Sequence, residues 1–131
     1  MDRRTYERVK AEAKGTFIIR QGGKYIAEFV AGIEDISEAG IKVIVNAEEY
    51  DHVQELIGAG SQLSFQAVDN YNLYGNDVTK IFNGTVSVVR KELNGQSLLL
   101  GCKIRPLTRE LQEYIEERKV SVFIERMHGF N

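Results

Sequence analysis

Two short strings hold the residues best suited to ligand chemistry. The chain opens Arg3-Arg4-Thr5-Tyr6-Glu7-Arg8, and 27 positions past Arg8 it reads Asp35-Ile36-Ser37-Glu38-Ala39-Gly40. A guanidinium fork presents parallel donors that match a phosphate or the O6/N7 edge of guanine, and its plane stacks on a purine. Arg4 and Arg8 are four apart and share a face wherever that segment is helical or turn-like. Asp35 brings the complementary chemistry, because a carboxylate accepts from two N–H donors at once, as the N1/N2 edge of guanine requires. Ser37, two residues on, is expected on the same side of a strand, where its hydroxyl donates to a purine acceptor or a phosphate. Gly40 has no Cβ, so ligand or backbone can approach closely there, or the chain can turn. The set suits a ligand that carries phosphates and purine edges together.

Other constellations are weaker. His52 and His128 share no motif, and no paired cysteine supports a metal site, so both read as exposed polar residues. Gly22-Gly23-Lys24 lacks the earlier glycine and the following hydroxyl of a phosphate loop, Tyr25 standing in the latter place. Ser37 has no histidine at a recognisable motif spacing, and Glu48-Glu49 read better as a helix N-terminus than as an acid/base pair. The lone Cys102 can make no internal disulfide and reads as a small core residue in a strand. Nothing here recommends an enzyme, and no metal or cofactor is expected.

The elements that must position these residues are mostly strands. Thr16–Arg20 and Tyr25–Val30 flank Gln21-Gly22-Gly23-Lys24, a tight hairpin turn. Ala27, Phe29, Ala31 and Ile33 alternate with more polar neighbours, as do Ile41, Val43 and Val45, and Leu63, Phe65 and Ala67. Val86 and Val88 face Leu98, Leu100, Cys102 and Ile104 across Asn94-Gly95, another hairpin signal. Five or six short antiparallel strands follow, a sheet that avoids bare edges by closing into a barrel. Asn46-Ala47-Glu48-Glu49 resembles a capping box, and Tyr50, Val53, Leu56 and Ile57 fall on one face of a short helix ending at Gly58. After Pro106, Thr108 can cap a second helix with Leu111, Tyr114 and Ile115 as its apolar stripe. Beyond Lys119 both periods fit: Val120, Phe123, Ile124 and Met127 suit a helix, while Val120, Val122 and Ile124 suit a strand. The helix is the preferred reading.

Composition sets the class. The 131 residues are 43% hydrophobic and 27% charged, as expected of one globular domain rather than a disordered chain. No run approaches the ~20 apolar residues of a membrane span, and no signal peptide is expected at the charged N-terminus, so the cytoplasm is the expected location. Residues 1–24 hold seven cations against three anions, a surplus of four, which leaves −6 for the remainder of a chain of net charge −2. That distribution fits an arm that captures a small anion better than a basic face for duplex DNA. A solvated basic tail is equally compatible with charge alone. The aromatics of Asn70-Tyr71-Asn72-Leu73-Tyr74 lack flanking cations, so a nucleic acid polymer is not an expected partner.

Taken in order, RRxxxR followed by DxSxxG resembles the signature of the PilZ domain, a bacterial receptor for cyclic di-GMP. The resemblance extends over nearly the whole chain as a pattern of strands, a Gly101-Cys102-Lys103-Ile104 strand and a C-terminal helix. It implies an all-β dominated fold, a six-stranded antiparallel barrel with a short inserted helix and a C-terminal α-helix. The domain plan it implies is a flexible arm over residues 1–12, a barrel over 13–105 and a helix over 107–127. It further implies that Arg4 and Arg8 grip the phosphates and guanine faces of cyclic di-GMP, while Asp35, Ser37 and Gly40 meet guanine on the barrel surface. Arg3, just before the paired arginines, goes in that family with a stacked ligand dimer. An arm with only Tyr6 and Val9 as sizeable apolar residues is expected to be mobile until phosphates neutralise its arginines, then to close and signal to a downstream protein. The competing expectation is an adaptor of the same fold that binds proteins but not the nucleotide.

Overall fold

The computed structural model describes residues 7–128. Its strands are β1 (Val9–Gln21), β2 (Lys24–Ile36), β3 (Gly40–Val45), β4 (Gln62–Leu73), β5 (Asn76–Asn94) and β6 (Ser97–Ile104). All pair antiparallel, in the closed order β1-β2-β3-β6-β5-β4, with β4 returning to β1. The six-stranded barrel that the resemblance implies is therefore present, each strand pairing with two neighbours over part of its length. Helix α1 (Ala47–Val53) joins β3 to β4, and helix α2 (Arg109–His128) follows β6.

Period-two patterning puts one face of every strand inside. Phe17 stacks on Phe29 and Phe65, with ring centroids 5.5 and 5.1 Å apart, and Phe65 meets Phe82 edge-on. Ile33, Ile41, Val43, Leu63, Leu98 and Leu100 complete this interior. Helix α2 closes it from outside: Leu111, Tyr114 and Ile115 are fully buried, and Tyr114 stacks on Phe82 at 4.0 Å. Thr108 caps α2 as expected, its Oγ1 accepting from Leu111 N at 3.2 Å.

Several boundaries differ from expectation. Residues 9–12, assigned to the arm, are the start of β1, where Val9 and Ala11 are buried and Lys10 and Glu12 exposed. Alanine is small enough to pass for an arm residue, yet Ala11 sits on the buried face of β1. Gly22 and Gly23 both have positive φ, as the first hairpin requires. The β5–β6 turn is Gly95-Gln96, one residue later than Asn94-Gly95, since Asn94 pairs with Ser97. A third hairpin, Tyr74-Gly75 between β4 and β5, was not anticipated because Tyr74 takes φ 53°, a rare conformation for an aromatic residue.

The short helix stops at Val53, not Gly58, and Asn46 makes no side-chain cap. Glu49, read as half of a capping box, instead accepts from Val30 N at 3.1 Å and ties α1 to β2. Residues 120–127 are helical. Their period was obscured because the buried stripe continues through polar residues, Arg118 and Ser121, at helical spacing from Leu111 and Tyr114.

Candidate functional site

Asp35 reaches the outer surface through a break in alternation. Ile33 is buried, so a regular strand would turn Asp35 inward as well. The β2–β3 register slips between the two: Ile33 opposes Val43 and Asp35 opposes Lys42, leaving Glu34 as the extra residue of a bulge. Asp35 then faces out, Ile36 returns to the core, and the cross-strand neighbours of Asp35 are Lys10 on β1 and Lys42 on β3. Arg8, just ahead of β1, donates from Nη1 to Asp35 Oδ1. The side chains of this pair are 58% and 26% exposed, so water and solutes compete for both. Arg3 and Arg4 lie outside the described residues.

Ser37 does not share the side of Asp35. It falls beyond the end of β2 and is buried, and its Oγ accepts from the backbone N–H of Ala39 and Gly40, each at 3.2 Å. Ser37 N donates in turn to Gly40 O at 2.8 Å. This is a serine-braced turn, a local arrangement that strand periodicity cannot foresee. Gly40 opens β3 where a Cβ would sit 2.4 Å from Cys102 O, so close approach of β3 to β6 requires glycine there. The turn is anchored on β6 by Ile104 N, which donates to Ala39 O.

Glu38, a variable position of the string, carries a connection that its motif did not signal. Its Oε2 lies 3.0 Å from Nζ of Lys119 on α2, and this hydrogen bond is the main reason the Lys119 ammonium is held above its ordinary pKa. One edge of the turn thus meets the helix.

One cavity of about 180 Å³ lies between Arg8 and α2, and two more, of about 240 and 410 Å³, flank Arg8 on the outer wall. Arg8, Arg90 and Gly101 line both; Asp35 and Lys42 border the smaller, Gly40 and Lys103 the larger. Arg90 and Lys103 were absent from the expected site, since neither belongs to either string. A larger surface cavity, about 770 Å³, lies elsewhere, over Thr16, Ile18, Gln66 and Asn83. Its single charged lining residue is Glu110, which does not suit an anion.

A second polar cluster sits under α2. Tyr114 donates to Asp69 Oδ2 at 2.6 Å, and Arg118 Nε lies 3.3 Å from the same oxygen. The Arg118 guanidinium covers the Tyr71 ring at 5.1 Å, while Tyr71 donates to Glu117. Burial, then the bond to Asp69, pushes the Tyr114 hydroxyl well above its ordinary pKa. Burial alone pushes the Cys102 thiol up to about 12, so it behaves as a core side chain. His52 is exposed, with Nε2 3.2 Å from Glu28 O.

The chain is thus a bulged antiparallel barrel with an arginine–aspartate pair on its outer wall. The family model of the PilZ domain matches residues 2–118, and the chain belongs to that family. Among solved structures it is similar to the PilZ domain of YcgR from Escherichia coli with c-di-GMP, at 13% identity and a TM-score of 0.58. That likeness covers 99% of this chain and 100% of the other. It is also similar to the Bacillus subtilis inhibitor of motility MotI/DgrA, at 16% identity and a TM-score of 0.61. There it covers 100% of this chain but 54% of the other, so this chain spans about half of that protein. No curated protein matches the chain. No described helix is long and apolar enough to cross a membrane.

Proposed function

We propose that this domain is a bacterial, cytoplasmic receptor for cyclic di-GMP that works by binding and not by catalysis. The observation that carries the reading is the exposed Arg8–Asp35 pair, held on the outer wall beside two cavities by a bulge in β2. In this structure the two groups pair with each other. A cyclic dinucleotide offers each a closer complement: phosphates for Arg8 and for Arg4 and Arg3 ahead of it, and the guanine N1/N2 edge for Asp35. Ser37 and Gly40 brace the turn that follows Asp35 and set β3 close against β6. Arm residues drawn over the barrel by the phosphates would remodel one face of the molecule for a downstream protein.

Calorimetric titration of cyclic di-GMP into wild-type protein and Arg8→Ala tests this. One charge-assisted contact contributes roughly 1.5–3 kcal/mol, so the variant should bind about 10- to 100-fold more weakly. Equal heats from both proteins would refute the assignment of Arg8. Absence of binding by the wild type would leave the adaptor reading.

A further inference from the structure

Resting on that reading, we infer that Arg90, outside both sequence strings, is a further ligand-contacting residue that supplies a guanidinium plane to the cyclic dinucleotide. The backbone treats Arg90 as it treats Asp35. Val88 is buried, so regular alternation along β5 would point Arg90 into the core. Instead the β5–β6 register slips: Val88 opposes Cys102 and Arg90 opposes Gly101, with exposed Val89 as the extra residue. Bulges re-aim side chains, and this one aims Arg90 at the outer wall that already holds Arg8 and Asp35. Two separate slips, in β2 and in β5, bring an acid and a base to the rim of the same cavity.

What lies beneath Arg90 matters equally. Its cross-strand partner, Gly101, has no side chain, and the position a Cβ would take there is 3.7 Å from Arg90 Nε and 3.8 Å from Nη2. The guanidinium therefore lies over β6 where a side chain at position 101 would touch it. Among the described residues it forms no ion pair and no hydrogen bond, although Asp35 and Glu92 line the same cavity. A cation with open donors among the described residues, lining two cavities that Arg8 also lines, is arranged to receive an anion or a purine. Its planar group suits both, by fork donation to phosphate or by stacking on the base.

The test is titration of cyclic di-GMP into wild type, Arg8→Ala, Arg90→Ala, Arg90→Gln and Arg90→Lys, with a thermal melt of each. Arg90 is exposed, so the melts should coincide with wild type. Binding should weaken roughly tenfold or more in Arg90→Ala and Arg90→Gln. Arg90→Lys should recover only part of the loss, because an ammonium keeps the charge but neither the plane nor the fork. Wild-type affinity in Arg90→Ala or Arg90→Gln, with Arg8→Ala weakened, would overturn this inference and leave the receptor reading standing. Full recovery in Arg90→Lys would overturn the planar role. A wild type that does not bind would overturn both. The glutamine variant, close to arginine in reach, decides the matter if alanine disturbs β5.

Discussion

Two arginine–aspartate pairs sit on one barrel and do different work. Arg118 and Asp69 are almost wholly buried, with side-chain exposures of 3% and 0%, whereas Arg8 and Asp35 are open to solvent. Around the buried pair other groups are fixed in place: Tyr114 donates to Asp69, Tyr71 underlies the guanidinium, and Ser121 bridges Arg118 Nη1 to Asn72 O. Around the exposed pair there are cavities and further cations. Removing one member of a buried pair strands the other in a medium that cannot solvate it, while an exposed pair exchanges partners at little cost. The same chemistry thus serves as a clamp between α2 and β4 in one place and as an exchangeable contact in the other. Burial makes the difference.

The contrast breaks first at the clamp. Arg118→Ala should destabilise the fold by about 3–5 kcal/mol in urea unfolding, because Asp69 would remain buried without its cation. A loss below about 1 kcal/mol would mean that Asp69 does not depend on it. Asp35→Ala sharpens the other side: affinity for cyclic di-GMP should fall about tenfold and the preference for guanine over adenine should relax, with unfolding free energy nearly unchanged. Unaltered base preference in a titration against cyclic di-AMP would remove Asp35 from base recognition.

Alkali gives the smallest and most graded effect. Tyr114 and Cys102 both titrate higher in the folded protein than their ordinary values of 10.0 and 9.0. An acid whose folded pKa is raised contributes stability that is complete below its unfolded pKa and is lost as pH rises. The melting temperature should therefore fall progressively from about pH 9, and Tyr114→Phe should flatten the part of the slope above pH 10. A parallel slope in that variant would assign the decline to other groups.

Much of the architecture was legible in order along the chain. Alternation in Ala27–Ile33, Ile41–Val45 and Leu98–Ile104 marked strands because each buries one face, and Gly22-Gly23 marked a hairpin because two positive φ angles are needed there. The two strings picked out Arg8 and Asp35 because charge and spacing are written in residue type. Other features depended on partners far away in sequence. Glu38 finds Lys119 81 positions later, and Asp69 finds Tyr114 45 positions later. No local pattern encodes such pairs.

The chain by itself determined a closed antiparallel barrel with a terminal helix, since hydrophobic period and turn residues act over a few neighbours at a time. Tertiary structure alone decided which polar residues face outward, because a one-residue slip between strands reverses the side on which every later residue falls. Ser37 leaves the face of Asp35 because the chain has already turned out of β2, whereas the slip in β5 turns Arg90 outward.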